Sequence, residues 1–267
     1  MQHGVSKYST MGLCQYAFLL CGNGLPNALA KDTQSASRIG KAAMSCSNKR
    51  FHSPAEVVPR LYLYYYSGVA PYIEPLQSCA GMVWQGFNAA LSRGEIRTAF
   101  RNAIHVIKTL FFAGEKLRKL LEKVDFFMKL ADQYKILVAK LILSIFRETT
   151  STLIDKGEST NSTANNATNQ DTNQPELVSG LISQHRAIQE YWLGHGERCH
   201  YYVEKVSGGT EHLGTIMMTF LHGLGVFQVL KKKSTAKLRL VARNVIATIK
   251  TAASHSQWNF SNKVRSC

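Results

Sequence analysis

From His212 to Cys267 the sequence contains no aspartate and no glutamate, while Lys231, Lys232, Lys233, Lys237, Arg239, Arg243, Lys250, Lys263 and Arg265 are all cationic. A surface built only for solubility intersperses the two signs. Such a one-signed segment suits nucleic acid, acidic lipid or an acidic neighbouring domain, and a merely solvated face reads the same way. Cysteine is scattered as Cys14, Cys21, Cys46, Cys79, Cys199 and Cys267 with no C-x-x-C pair, which removes the usual zinc and dithiol spacings. In a chain of 267 residues they read as reduced, mostly buried small residues in a cytoplasmic protein. Prolines number only 6, and long β-branched alternation is missing, so the fold class is all-α.

Long apolar runs are missing too. Met11 to Cys21 is too short to span a bilayer, is interrupted by Gln15 and lacks a small-residue cleavage site, so a buried helix is expected there rather than a signal peptide. Ile136 to Ile154 is richer in apolar residues and is expected to be a central buried helix, Lys140 and Arg147 denying it a membrane role. Gly157 to Glu176 contains no Leu, Ile, Val or aromatic residue. Such a stretch cannot bury enough apolar surface to offset its ordering entropy, and it reads as a disordered polar insertion.

Catalytic signatures are absent in the same way. A phosphate-binding loop needs a leading glycine and a hydroxyl after Gly-Lys, but around Gly40-Lys41 those positions are Ser35 and Ala42. Asp125-Phe126-Phe127 lacks the glycine of a kinase metal-binding triplet. His195, Cys199 and His200 cluster without a further ligand set at zinc spacing. No catalytic residue, metal or cofactor is assigned, and the chain is read as a non-enzyme. Asn161, Asn166 and Asn259 fit the glycosylation acceptor pattern, which matters only in a secreted protein.

What is present is helical punctuation. Gly94 precedes Ala99 by five residues, and Gly194 precedes Cys199 by five, each ahead of an amphipathic run. A glycine lets one helix end with positive φ, and a small residue five positions on lets the next helix approach closely. The two turns are 100 residues apart, about three repeats of roughly 34 residues. The expected fold is therefore a right-handed solenoid of irregular tetratricopeptide-like hairpins, with residues 1–156 and 177–267 as its two parts around the insertion 157–176. Leu117, Leu120, Leu121, Val124, Phe127, Met128 and Ala131 mark its clearest helix, with Glu115–Lys119 and Asp125–Lys129 as acid-before-base pairs.

The phrases Tyr191-Trp192-Leu193-Gly194-His195-Gly196-Glu197-Arg198-Cys199-His200-Tyr201-Tyr202, Ala113-Gly114-Glu115-Lys116-Leu117 and Thr248-Ile249-Lys250-Thr251-Ala252-Ala253 resemble the helical-repeat region of large predicted-ATPase signalling proteins. In that family the helical region lies between a kinase-like and AAA-type ATPase part and GAF, histidine-kinase or cyclase modules. No position here matches the family's nucleotide motifs. The resemblance implies a scaffold or coupling segment that binds a protein partner or an adjoining domain. The alternative is an anion or nucleic-acid binder working through Lys231, Lys232, Lys233, Lys237, Arg239, Arg243 and Lys250.

Overall fold

A computed structural model describes residues 8–22, 32–49, 57–155, 176–205 and 212–266. Among the described residues the chain forms twelve α-helices: α1 Ser9–Leu20, α2 Thr33–Lys49, α3 Val58–Gly68, α4 Leu76–Leu91, α5 Ile96–Ala113, α6 Leu117–Gln133, α7 Leu137–Ile154, α8 Glu176–Trp192, α9 Gly196–Glu204, α10 His212–Leu230, α11 Ala236–His255 and α12 Gln257–Ser266. A single 3-10 turn, Ala70–Tyr72, joins α3 to α4. The polar insertion expected at 157–176 lies outside the described residues except for Glu176, which opens α8.

Local chemistry explains the boundaries. Pro59 sits in the first turn of α3, where its missing N–H costs little. Thr235 caps α11, its Oγ1 accepting from the Leu238 N–H at 3.3 Å. Helices α4, α5, α6 and α8 end in one and the same turn. A residue with positive φ follows the helix (Gly94, Gly114, Lys135, Gly194), and the next N–H reaches back five residues: Glu95 to Ala90, Glu115 to Leu110, Ile136 to Ala131 and His195 to Glu190, all at 2.8–3.1 Å. This is the Schellman closure. Lysine at φ 57° in the third turn carries no glycine signal, so the sequence does not announce that hairpin.

The hairpins α4/α5, α6/α7 and α8/α9 are intimately packed, and α3, α5 and α7 also stack on one another, as do α8 and α10. The hairpin that starts at Leu76 is followed by one starting 41 residues later at Leu117, longer than a tetratricopeptide repeat of about 34. The turns at Gly94 and Gly194 are thus two hairpin steps apart rather than three, because 157–176 falls within the second step.

One apolar cluster occupies α4–α7 and is built on Phe87, Phe100, Val106, Leu120, Phe127, Leu143 and Phe146. A second joins the two ends of the described chain: Cys14, Leu61, Tyr65 and Leu76 from α1, α3 and α4 share a core with Met217, Ile249 and Phe260 from α10, α11 and α12. Polar bonds reinforce this seam. The Asn259 amide donates to the carbonyls of Pro71 (2.7 Å) and Glu74 (2.9 Å), and its Oδ1 accepts from the Leu76 N–H at 3.2 Å. Ser256 Oγ donates to the Pro71 carbonyl at 3.3 Å. A simple solenoid repeat touches only its neighbours; these bonds join residues 183 to 188 positions apart.

Two expectations of burial are corrected. Helix α7 buries Ala139, Leu143, Ile145 and Phe146 but leaves Leu137, Val138 and Leu141 in solvent, so it lies at the surface rather than at the centre. Helix α1 buries Thr10, Cys14 and Ala17 while Leu13, Tyr16 and Leu19 stay exposed. The reason is common to both: a helix apolar around most of its circumference, packed on one side, can bury only one stripe. The acid-base pairs differ as well, Glu115 meeting Lys123 at 3.3 Å and Asp125 meeting Arg147 of α7 at 2.7 Å.

Candidate functional site

Gly94 and Gly194 supply the left-handed turn conformation, and the small residues that follow them serve packing. Ala99 and Cys199 are fully buried, as close helix approach requires. The Cys199 thiol donates to the Leu221 carbonyl at 3.7 Å, and burial pushes its pKa up to about 12, so it is no activated nucleophile. Cys14 and Cys79 are raised to about 12 for the same reason. A methyl group added to Gly225 would stand 3.1 Å from Cys199 Sγ, and one on Gly223 would stand 2.4 Å from Val245 Cγ1. The glycine pair of α10 therefore lets α9 approach on one side and α11 on the other.

The histidines near these turns are engaged elsewhere. His195 Nδ1 lies 2.7 Å from Glu190 Oε2, the carboxylate of the helix it follows. His200 and His222 stack at 4.9 Å between centroids, with His200 Nδ1 and His222 Nε2 2.8 Å apart. Burial and its neighbour His200 hold the His222 pKa below the usual imidazole range. Among the described residues no group of three or more His, Cys, Asp and Glu side chains is arranged to hold a metal ion. His185 is buried where α8 meets α7. It is bonded to Thr149 Oγ1 at 2.8 Å and set edge-on to Phe146, and burial drives its pKa down to about 3. Gly40-Lys41 lies inside α2, with Gly40 against the Tyr65 ring. Asn259, one of the glycosylation triplets, is buried and fully bonded.

The basic residues fall where a ligand could reach them. Lys231, Lys232, Lys233, Lys237, Arg239, Arg243 and Lys250 are all exposed. Arg239, Arg243 and Lys250 share one face of α11 at i, i+4 and i+11. Helical rise spaces them by about 6 Å and about 10 Å along the axis. Among the described residues none of the seven is joined to a carboxylate, whereas four cations of α6–α8 are: Lys123, Lys140, Arg147 and Arg186 each meet an Asp or Glu.

Sequence reasoning missed a second surface. At the start of α7, Leu137, Val138 and Leu141 are 77%, 66% and 42% exposed, beside Tyr134 at 38%. The signal was available: Leu137 to Leu143 is apolar except for Lys140, and a hairpin helix has one buried stripe, so the excess must face outward. Isolated surface leucines are ordinary, whereas Leu137, Val138 and Leu141 stand together on one turn and make it a candidate interaction surface.

Among the described residues no helix is long and apolar enough to cross a membrane. No protein-family model, no curated protein and no solved structure matches the chain.

Proposed function

We propose that the protein is a non-catalytic helical-repeat scaffold, or a coupling segment of a signalling ATPase, whose stacked hairpins follow a right-handed solenoid course closed by the contact between its first and last helices and bind a protein partner or an adjoining domain. The observation that carries this reading is the exposed apolar turn of α7, Leu137, Val138 and Leu141. An amphipathic helix offered by a partner could cover it with i, i+3, i+4 anchors. The rigid Schellman turns hold α6 and α7 in fixed register, so the surface is preorganised. The test compares affinity-purified wild type with Leu137→Glu/Val138→Glu. A specific partner lost from the double variant while its thermal melt stays unchanged supports the reading. Identical partners on both proteins overturn it.

The α11 face favours a second reading, binding of an anionic partner such as nucleic acid. Its three aligned cations lack carboxylate partners among the described residues, and the formal net charge is +15. Binding of this type weakens steeply with salt, log K falling by about 0.9 per phosphate contact per decade. Fluorescence anisotropy with duplex and single-stranded oligonucleotides measures that slope, and a flat salt response sets the reading aside.

A further inference from the structure

A cavity of about 640 Å³ opens among the ends of α5, α7 and α8, the start of α6, and α10 and α12. That volume is in the range of roughly 300–1,000 Å³ typical of small-molecule sites. Its wall is mostly apolar, with Phe112, Leu153, Ile188, Met217, Phe220 and Leu221 among the lining side chains. Two charged residues reach it, Glu115 and Lys263.

The two charges differ in what they already hold. Glu115 is satisfied, with Lys123 Nζ at 3.3 Å and the Lys116 N–H at 3.0 Å. The Lys263 ammonium donates to the Asn259 carbonyl at 2.8 Å, and the Phe220 and Phe260 rings stand 5.8 Å from it. No carboxylate of the described residues pairs with it, and burial alone holds its pKa below the usual lysine range. An ammonium has three donors, so two remain for a ligand. A half-buried cation without a counter-charge is an unfavourable arrangement that a bound anion relieves.

We propose that this cavity binds a long-chain aliphatic carboxylate, its chain among the branched and aromatic side chains and its carboxylate on the Lys263 ammonium. One cation calls for one negative charge, and a dianionic head such as a phosphate would bring a second charge into a cavity that Glu115 also lines. The site is separate from the α7 surface and from the basic face of α11, and it stands whether or not either of those binds a partner.

The experiment uses the delipidated full-length chain and cis-parinaric acid as a fluorescent occupant, with palmitate and hexadecanol as competitors of equal chain length. The wild type is expected to bind the probe at one saturable site and to release it to palmitate at least about tenfold more readily than to hexadecanol, since a hydrogen bond to a charged group is at stake. Lys263→Met, which keeps the apolar stem, is expected to erase that difference. Leu221→Trp fills the cavity and weakens both competitors. No saturable binding, hexadecanol as good as palmitate on the wild type, or unchanged palmitate preference in Lys263→Met overturns the proposal. The two competitors on the wild type decide the matter even where a variant fails to fold.

Discussion

Helices α4–α7 are locked by large rings: Phe87 and Phe127 meet at 5.0 Å between centroids, Trp84 lies 5.0 Å from Phe127, and Phe111 packs on Phe146 at 6.0 Å. Helices α8–α11 are brought together by the opposite device. The fully packed members of the cluster between α8, α9 and α10 are the small or flexible Ala187, Cys199 and Met218, and Gly196, Gly223 and Gly225 let α9, α10 and α11 come close. The first region gains stability from apolar area, the second from proximity, and the two should fail differently when disturbed. Removing volume harms the aromatic region, whereas adding volume harms the glycine region.

The sharpest test of the aromatic side is Phe127→Ala, which empties the middle of the α4–α7 cluster and is expected to cost about 3–5 kcal/mol in urea unfolding. On the glycine side, Gly223→Ala drives a methyl into Val245. A loss of about 2–3 kcal/mol is expected, largely recovered in Gly223→Ala/Val245→Ala, and the same pair of measurements would show no recovery if α10 and α11 were not in contact. Asn259→Ala leaves the Leu76 N–H and the Pro71 and Glu74 carbonyls without their partner. About 2 kcal/mol is expected to be lost, with hydrogen exchange accelerating in both α12 and the first turn of α4.

His185 stands where the two regions meet, and its titration reports on that contact. Its folded pKa is about 3, against about 6.5 in the unfolded chain. As pH falls below about 6.5 the unfolded state takes a proton that the folded state refuses, so this stability is lost on the acid side. Between pH 7 and pH 5.5 the wild type should lose about 1.3 kcal/mol more than His185→Gln. The smallest effect belongs to the exposed Asp125–Arg147 pair between α6 and α7: Asp125→Asn is expected to change stability by less than about 1 kcal/mol, less still in high salt.

The contrast also explains what could be read from the sequence. Helix positions are legible because apolar spacing acts locally: the helix expected over Ile136 to Ile154 is α7, Leu137–Ile154, and the periodic positions from Leu117 to Ala131 all fall within α6, Leu117–Gln133. The turn at Lys135 was silent because a lysine there adopts the conformation glycine usually supplies. The burial of α7 was overestimated because composition does not say how many neighbours a helix has. Neither the Asn259 seam nor the cavity beside Lys263 was legible, since both depend on helices far apart in sequence coming to lie side by side. The seven basic residues were found as a charge pattern, and the structure adds that three of them share one helical face.

The Asn259 seam has a consequence for biosynthesis. The α4–α7 cluster is complete once Ile154 has left the ribosome, so an emerging chain can consolidate it early, because domains form as their segments become available. The cluster shared by α1, α3 and α12 must wait for Phe260, more than 180 residues after the Pro71 carbonyl with which Asn259 bonds. Until then the Pro71–Leu76 segment that Asn259 later bonds is uncovered during translation, and that interval is when a nascent-chain chaperone would be expected to engage.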